Sequence, residues 1–138
     1  MRKDWSAPFH CVFSTYRRQA VLLDEIKDMV EALVREIAVD KGYQLIAYAV
    51  MPDHVHLLLT LHRGDVPRAM NMFKGIISRR ILLRFPDLRL DMRSNHLWTA
   101  GYYARTVDSS SLSATIRYIL AQDHPQDDFW VPSSSMRC

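Results

Sequence analysis

Apolar positions along this chain recur with two periods, one of two residues and one of 3.6, and the switches between them mark the elements. Phe9 to Tyr16 is branched and aromatic and predicts a first strand. Between Asp24 and Lys41, Ile26, Val30, Leu33 and Ile37 fall on one stripe among charged residues, which predicts a helix stopped by Gly42. Tyr43 to Met51 predicts a second strand, Pro52-Asp53 a turn, and His54 to about His62 a third strand. The short connection makes these two strands antiparallel neighbours. Asp65 can cap a helix from about Pro67 to Phe85, with Met70, Phe73, Ile77 and Ile81 as its apolar stripe and Pro86 after it. Asp87 to Asn95 is polar and is expected to be irregular. Leu97 to Val107 predicts a fourth strand, bent at Gly101. Ser109 to Ser111 offer caps for a last helix, about Leu112 to Asp123. The tail from Gln126 is expected to be loosely ordered, with Phe129 and Trp130 able to dock.

The order β-α-β-β-α-β plus one helix is the α+β, ferredoxin-like pattern, an antiparallel sheet with its two crossover helices on one face. Its length, 138 residues, suits one domain, with a core of about residues 8–124 and a tail of 125–138. Successive strand side chains point to opposite faces. Val55, Leu57, Leu59 and Leu61 therefore belong to the core under the helices, while His54 and His56 share the second face. The extra C-terminal helix is free to pack there.

Composition changes this picture little: 49% of residues are hydrophobic and 24% charged, as in ordinary globular proteins. Charge distribution says more. The net charge is +3 and the pI about 9.0. Arg63 to Arg105 holds nine Lys/Arg against three acids, whereas Leu22 to Gly42 holds six acids against three bases. A basic segment suggests a polyanionic partner, or simply a solvated face. Cys11 and Cys138 fit no metal or redox spacing. No apolar run approaches the ~20 residues that span a bilayer, and Met1 to Trp5 lacks the apolar core of a signal peptide. The expectation is a cytoplasmic, nucleoid-associated protein without a membrane partner.

Two imidazoles side by side at a strand start can hold one metal ion, although a bare His-x-His more often marks the open face of a sheet. His62 shares their parity but lies six to eight residues on, at ~3.3 Å per residue too far for one ion. On the last helix, Tyr118 and Gln122 stand at i and i+4 and project from one face. If that helix lies on the histidine strand, an amide oxygen can complete a His-His-Gln site and a phenol faces it. A neutral phenol is a weak nucleophile, but a metal that polarises a phosphodiester makes it competent.

Several segments, in order and over roughly residues 8–122, carry a resemblance: FHCVFSTYRR, VMPDHVHLLL, FKGIISRRILLRFP, HLWTAGYYARTV and RYILAQ. Together they resemble the HUH single-tyrosine transposases of insertion sequences that move as single-stranded DNA, relatives of the transposases associated with repeated extragenic palindromes. The resemblance implies that His54, His56 and Gln122 hold a divalent ion, Mg²⁺ or Mn²⁺. It makes Tyr118 the nucleophile that forms a 5′-phosphotyrosine and frees a 3′-hydroxyl. It also implies a homodimer that recognises DNA hairpins at the element's ends, in which the tyrosine helix of one subunit can complete the other's site. Between tyrosine and glutamine, where family members often carry polar residues, this chain has Leu120-Ala121.

Arg17, Arg18, Lys74, Arg79, Arg80 and Arg84 are candidate contacts to the DNA backbone. Trp98, Tyr102 and Tyr103 are candidates to stack on bases, with at least one of the two tyrosines expected in the core. Two other functions stand beside the transposase: a domesticated nickase that processes chromosomal palindromes, and a hairpin-binding module with an inert histidine pair.

Overall fold

A computed structural model describes residues 6–122; the tail from Gln126, with Phe129 and Trp130, and the predicted helix end at Asp123 lie outside it. The strands are β1 (Ser6–Ser14), β2 (Gln44–Met51), β3 (His54–His62) and β4 (Tyr103–Thr106). The helices are α1 (Asp24–Lys41), α2 (Val66–Arg84), α3 (Leu88–Met92) and α4 (Leu112–Ala121). The strands form one antiparallel sheet in the order β2-β3-β1-β4, the ferredoxin-like arrangement that the element order predicts.

Strand parity divides the sheet. Phe9, Cys11 and Phe13 of β1 and Val55, Leu57, Leu59 and Leu61 of β3 point one way, into a core closed by Val30, Leu33 and Ile37 of α1 and by Met70, Phe73, Ile77 and Ile81 of α2. The other face carries a smaller apolar cluster of Ala47, Ala49, Leu58, Val107 and Ile119, the last from α4. Alanines at 47 and 49 leave room for a helix to lie close to β2. On that face the cross-strand rows run Met51–His54–Ser14, Ala49–His56–Val12–Tyr103 and Ala47–Leu58–His10–Arg105. His54, His56 and His10 thus form one patch beside the cluster that holds α4.

Four expectations need correction. Asp87 to Asn95 is not wholly irregular: α3 forms because Leu88 and Met92, one turn apart, both bury against the main core. The fourth strand is four residues long rather than eleven. Trp98 bridges back to Thr15, the Lys74 ammonium holds the Thr99 and Gly101 carbonyls at 3.0 and 2.6 Å, and Gly101 turns the chain at φ +86° before pairing with β1 begins. The first strand starts at Ser6 and ends at Ser14, because Tyr16–Arg18 forms a 3₁₀ turn. In front of α4 it is Asp108, rather than a serine, that caps the turn, its carboxylate accepting from the Ser110 and Ser111 hydroxyls and the Ser111 amide.

Candidate active site

The turn Pro52-Asp53 delivers both histidines at the start of β3. Their Nε2 atoms face each other at 3.2 Å, and the rings stand nearly perpendicular at 73°. Each ring is tied at its other nitrogen. His54 Nδ1 lies 2.7 Å from Asp53 Oδ1, and His56 Nδ1 lies 3.1 Å from His10 Nε2. Burial is deep, with His56 at 0%, His10 at 1% and His54 at 6% exposure. Burial, followed by the neighbouring His54 and His10, holds His56 well below the ordinary imidazole range. Burial and then Arg105 push His10 down to about 4. Both are therefore neutral near pH 7, the form in which an imidazole nitrogen can donate a lone pair.

Asp53 anchors this end. Its second oxygen accepts from Arg18 Nε at 3.2 Å, and its carboxyl is held below the usual range first by the hydrogen bond to His54. The chain places α4 against its own β2, so the Tyr118 ring meets His56 edge-on at 5.9 Å between centroids and His10 at 6.3 Å. Gln122 is buried, at 8% exposure, and its amide nitrogen donates to the Tyr118 carbonyl at 3.1 Å. The structure thus brings His54, His56 and Tyr118 together and gives Gln122 a hydrogen bond on its own helix. Leu120 is half exposed, on a different side of the helix from Ile119.

The donor set fits a divalent cation. Two imidazoles converge with their outer nitrogens fixed, and the amide that could join them stands one turn from the phenol on the adjacent helix. Imidazole donors suit Mn²⁺ better than Mg²⁺.

The candidate cations fall in two places. Arg17 and Arg18 lie next to the histidine turn, both with left-handed backbone (φ 57° and 56°), on a cleft of about 520 Å³ shared with Thr99 to Tyr102. Arg79, Arg80 and Arg84 are exposed on α2, across the sheet; Arg80 reaches Glu36 at 3.6 Å, and Arg84 lies over the Phe85 ring. Lys74 has its ammonium on the Thr99 and Gly101 carbonyls, so it is engaged in holding that loop. Trp98 is not a stacking platform: it is 7% exposed, packs edge-on against Phe13 and donates to the Lys74 carbonyl. Neither Tyr102 nor Tyr103 is in the core.

Residues 3–122 match the family described as IS200-like transposases. The chain belongs to that family. It is 31% identical over 115 residues to the ISDra2 transposase TnpA of Deinococcus radiodurans, spanning 83% of this chain and 82% of that protein. A crystal structure from Deinococcus radiodurans, assigned as a transposase, superposes with a TM-score of 0.69 at 33% identity, over 88% of this chain and 98% of that one. A REP-associated tyrosine transposase, solved bound to a REP hairpin, shares the fold with a TM-score of 0.63 at 15% identity, over 95% of this chain and 75% of that one. This IS200-like transposase is accordingly a DNA-processing enzyme. Among its described residues no helix is long and apolar enough to cross a membrane.

Two residues of the site carry too weak a signal to be singled out from sequence. Asp53 reads as a turn residue alone, although an acid next to a His-x-His can orient the first ring. His10 lacks any spacing to the other histidines, and only its even position on β1, the parity of Val12 and Ser14, places it on their face.

Proposed function

We propose that this transposase cleaves and rejoins single-stranded DNA at hairpin-bearing ends through a 5′-phosphotyrosine at Tyr118, with a divalent ion held by His54, His56 and Gln122. The observation that supports this most is the convergence of the two Nε2 atoms at 3.2 Å, with the Tyr118 ring edge-on to His56. When bound, the ion would polarise the scissile phosphate and stabilise the departing oxygen. The chain supplies the rest. Tyr118 Oη attacks phosphorus, the bond from phosphorus to the 3′ oxygen breaks, and that oxygen takes up a proton as a free 3′-hydroxyl. The phenolic proton leaves to solvent. The new ester conserves the energy of the broken one, so the 3′-hydroxyl of another strand can reverse the attack and release Tyr118 without an external energy source. Gln122 would offer its amide oxygen, while its amide nitrogen donates to the Tyr118 carbonyl.

A hairpin partner is supported by the related transposase solved with one. Arg17 and Arg18, beside the cleft next to Asp53, suit the strand near the scissile phosphate, and the cations of α2 suit duplex backbone. A homodimer belongs to the same reading. The test is a labelled single strand carrying the element's end palindrome, incubated with Mn²⁺ and run on a denaturing gel. A covalent protein–DNA band is expected, lost in Tyr118→Phe and without metal, while Tyr118→Phe still binds the hairpin. A band that persists in Tyr118→Phe would refute the assignment.

A further inference from the structure

His10 lies outside the His-x-His pair and touches no reacting atom in the proposed mechanism, yet it is buried to 1% and aimed at a proposed ligand. Its Nε2 stands 3.1 Å from His56 Nδ1, with the two rings only 21° from parallel. Protons can be laid along the chain Asp53–His54–His56–His10 in two ways. In one, His10 Nε2 donates to His56 Nδ1. The His56 proton then sits on Nε2 and points at His54, and the pair cannot take an ion. In the other, His56 keeps its proton on Nδ1 and donates it to His10 Nε2, which frees the His56 Nε2 lone pair to match the one that Asp53 frees on His54. Only the second arrangement offers two donors at one point. It needs an acceptor at the position of His10 Nε2, because without one nothing holds the His56 proton on Nδ1. The displaced proton then sits on His10 Nδ1, the one buried side-chain polar atom without a hydrogen-bond partner among the described residues, so the cost of an unpaired N–H moves off the ligand and onto His10.

We propose that His10 is a positioning residue for His56: its Nε2 accepts the His56 Nδ1 proton and fixes the tautomer that turns the His56 Nε2 lone pair toward the ion. The inference rests on the reading of His54 and His56 as ligands, and it assigns to β1 the role toward His56 that Asp53 plays toward His54. Ring-orienting partners of metal-bound histidines are commonly carboxylates or carbonyls. A neutral imidazole serves here because the site is buried too deeply for a second charge.

The test is Mn²⁺ affinity of the full chain without DNA, followed by the EPR signal of the free ion, in wild type, His56→Ala, His10→Leu and His10→Gln. His56→Ala should abolish specific binding. His10→Leu should weaken it about 10- to 100-fold, the usual effect of removing such a partner. His10→Gln, whose Oε1 sits where Nε2 was, should restore most of it. If His10→Leu binds like wild type while His56→Ala does not, the role of His10 is refuted and the ligand reading survives. If His56→Ala also binds like wild type, the ligand reading itself fails. Should His10→Leu not fold, long-range ¹H–¹⁵N spectra of the wild-type imidazoles with saturating Mg²⁺ decide instead. A proton on His10 Nδ1 supports the proposal, and one on His10 Nε2 overturns it.

Discussion

Replacing Ile119 with alanine tests whether Tyr118 is presented by packing. Ile119 is fully buried in the small cluster with Ala47, Ala49, Leu58 and Val107, and on α4 only it and Thr115 are buried. A helix of ten residues is marginal alone in water, so its hold on the sheet is close to what that burial supplies. Ile→Ala changes in cores cost roughly 2–5 kcal/mol. The lower part of that range applies here, because α4 lies on an open sheet face and can settle into the gap. A loss of about 2–3 kcal/mol shifts the balance between docked and undocked helix by about 30- to 150-fold. Hydrogen exchange measures this directly. Amides of Thr115 and Gln122, bonded within α4, should exchange faster by about that factor, while β1 and β3 amides keep their protection. Phosphotyrosine formation should fall with docking, and hairpin affinity should not. Equal acceleration in α4 and the central strands would mean that the helix opens only with the whole domain, and would refute local docking as what controls the tyrosine.

Other outcomes follow from the same geometry. Asp53 is held below the ordinary carboxylate value of 3.8, first by its bond to His54, so it contributes stability above that value that is lost as pH falls through the lowered one; Asp53→Asn should flatten acid unfolding in that window, and an unchanged profile would deny the bond. Cys11 is fully buried with its thiol pushed up to about 12, so in a Cys138→Ser background it should react with a disulfide reagent only on unfolding; prompt native reaction would contradict the core. Charge-neutral replacement of Arg79 and Arg80 should lower the slope of log affinity against log salt for a hairpin by about 0.9 for each phosphate no longer neutralised, and an unchanged slope would remove α2 from the interface.

Much of this arrangement is legible in sequence, for identifiable reasons. Period-two alternation in β3 separates Val55, Leu57, Leu59 and Leu61 from His54 and His56, and a one-residue slip would exchange the faces, so parity is a strong constraint. The stripe of α2 and the Gly42 stop of α1 are similarly local. What the pattern conceals is set by contacts between distant segments. β4 is short because Lys74, some 25 residues earlier, holds Thr99 and Gly101, and no window around 97–107 contains that bond. Trp98 looks like a base platform until Phe13 and the Lys74 carbonyl enclose it. His10 becomes part of the site only through the register that sets Val12 opposite His56.

That register also keeps apart the two tasks that the proposed function gives one small sheet. The buried stripe of α2 packs with Phe9 and Leu57, whereas His54 and His56 open to the other side, so Arg79, Arg80 and Arg84 stand across the sheet from Tyr118. A phosphate held by those arginines cannot be the one at the histidines. A single DNA molecule engaging both must pass around an edge of the sheet. At the end of β1, Arg17 and Arg18 stand beside the Asp53 turn on a cleft shared with the approach to β4. On the proposed function, they are the cations that would guide a strand from one face to the other. On that reading, the dry core between the faces should let hairpin affinity and cleavage be altered separately. On the proposed function, changes on α2 are expected to act on binding, changes at Asp53, His56 or Ile119 on chemistry, and changes at Arg17 and Arg18 on both.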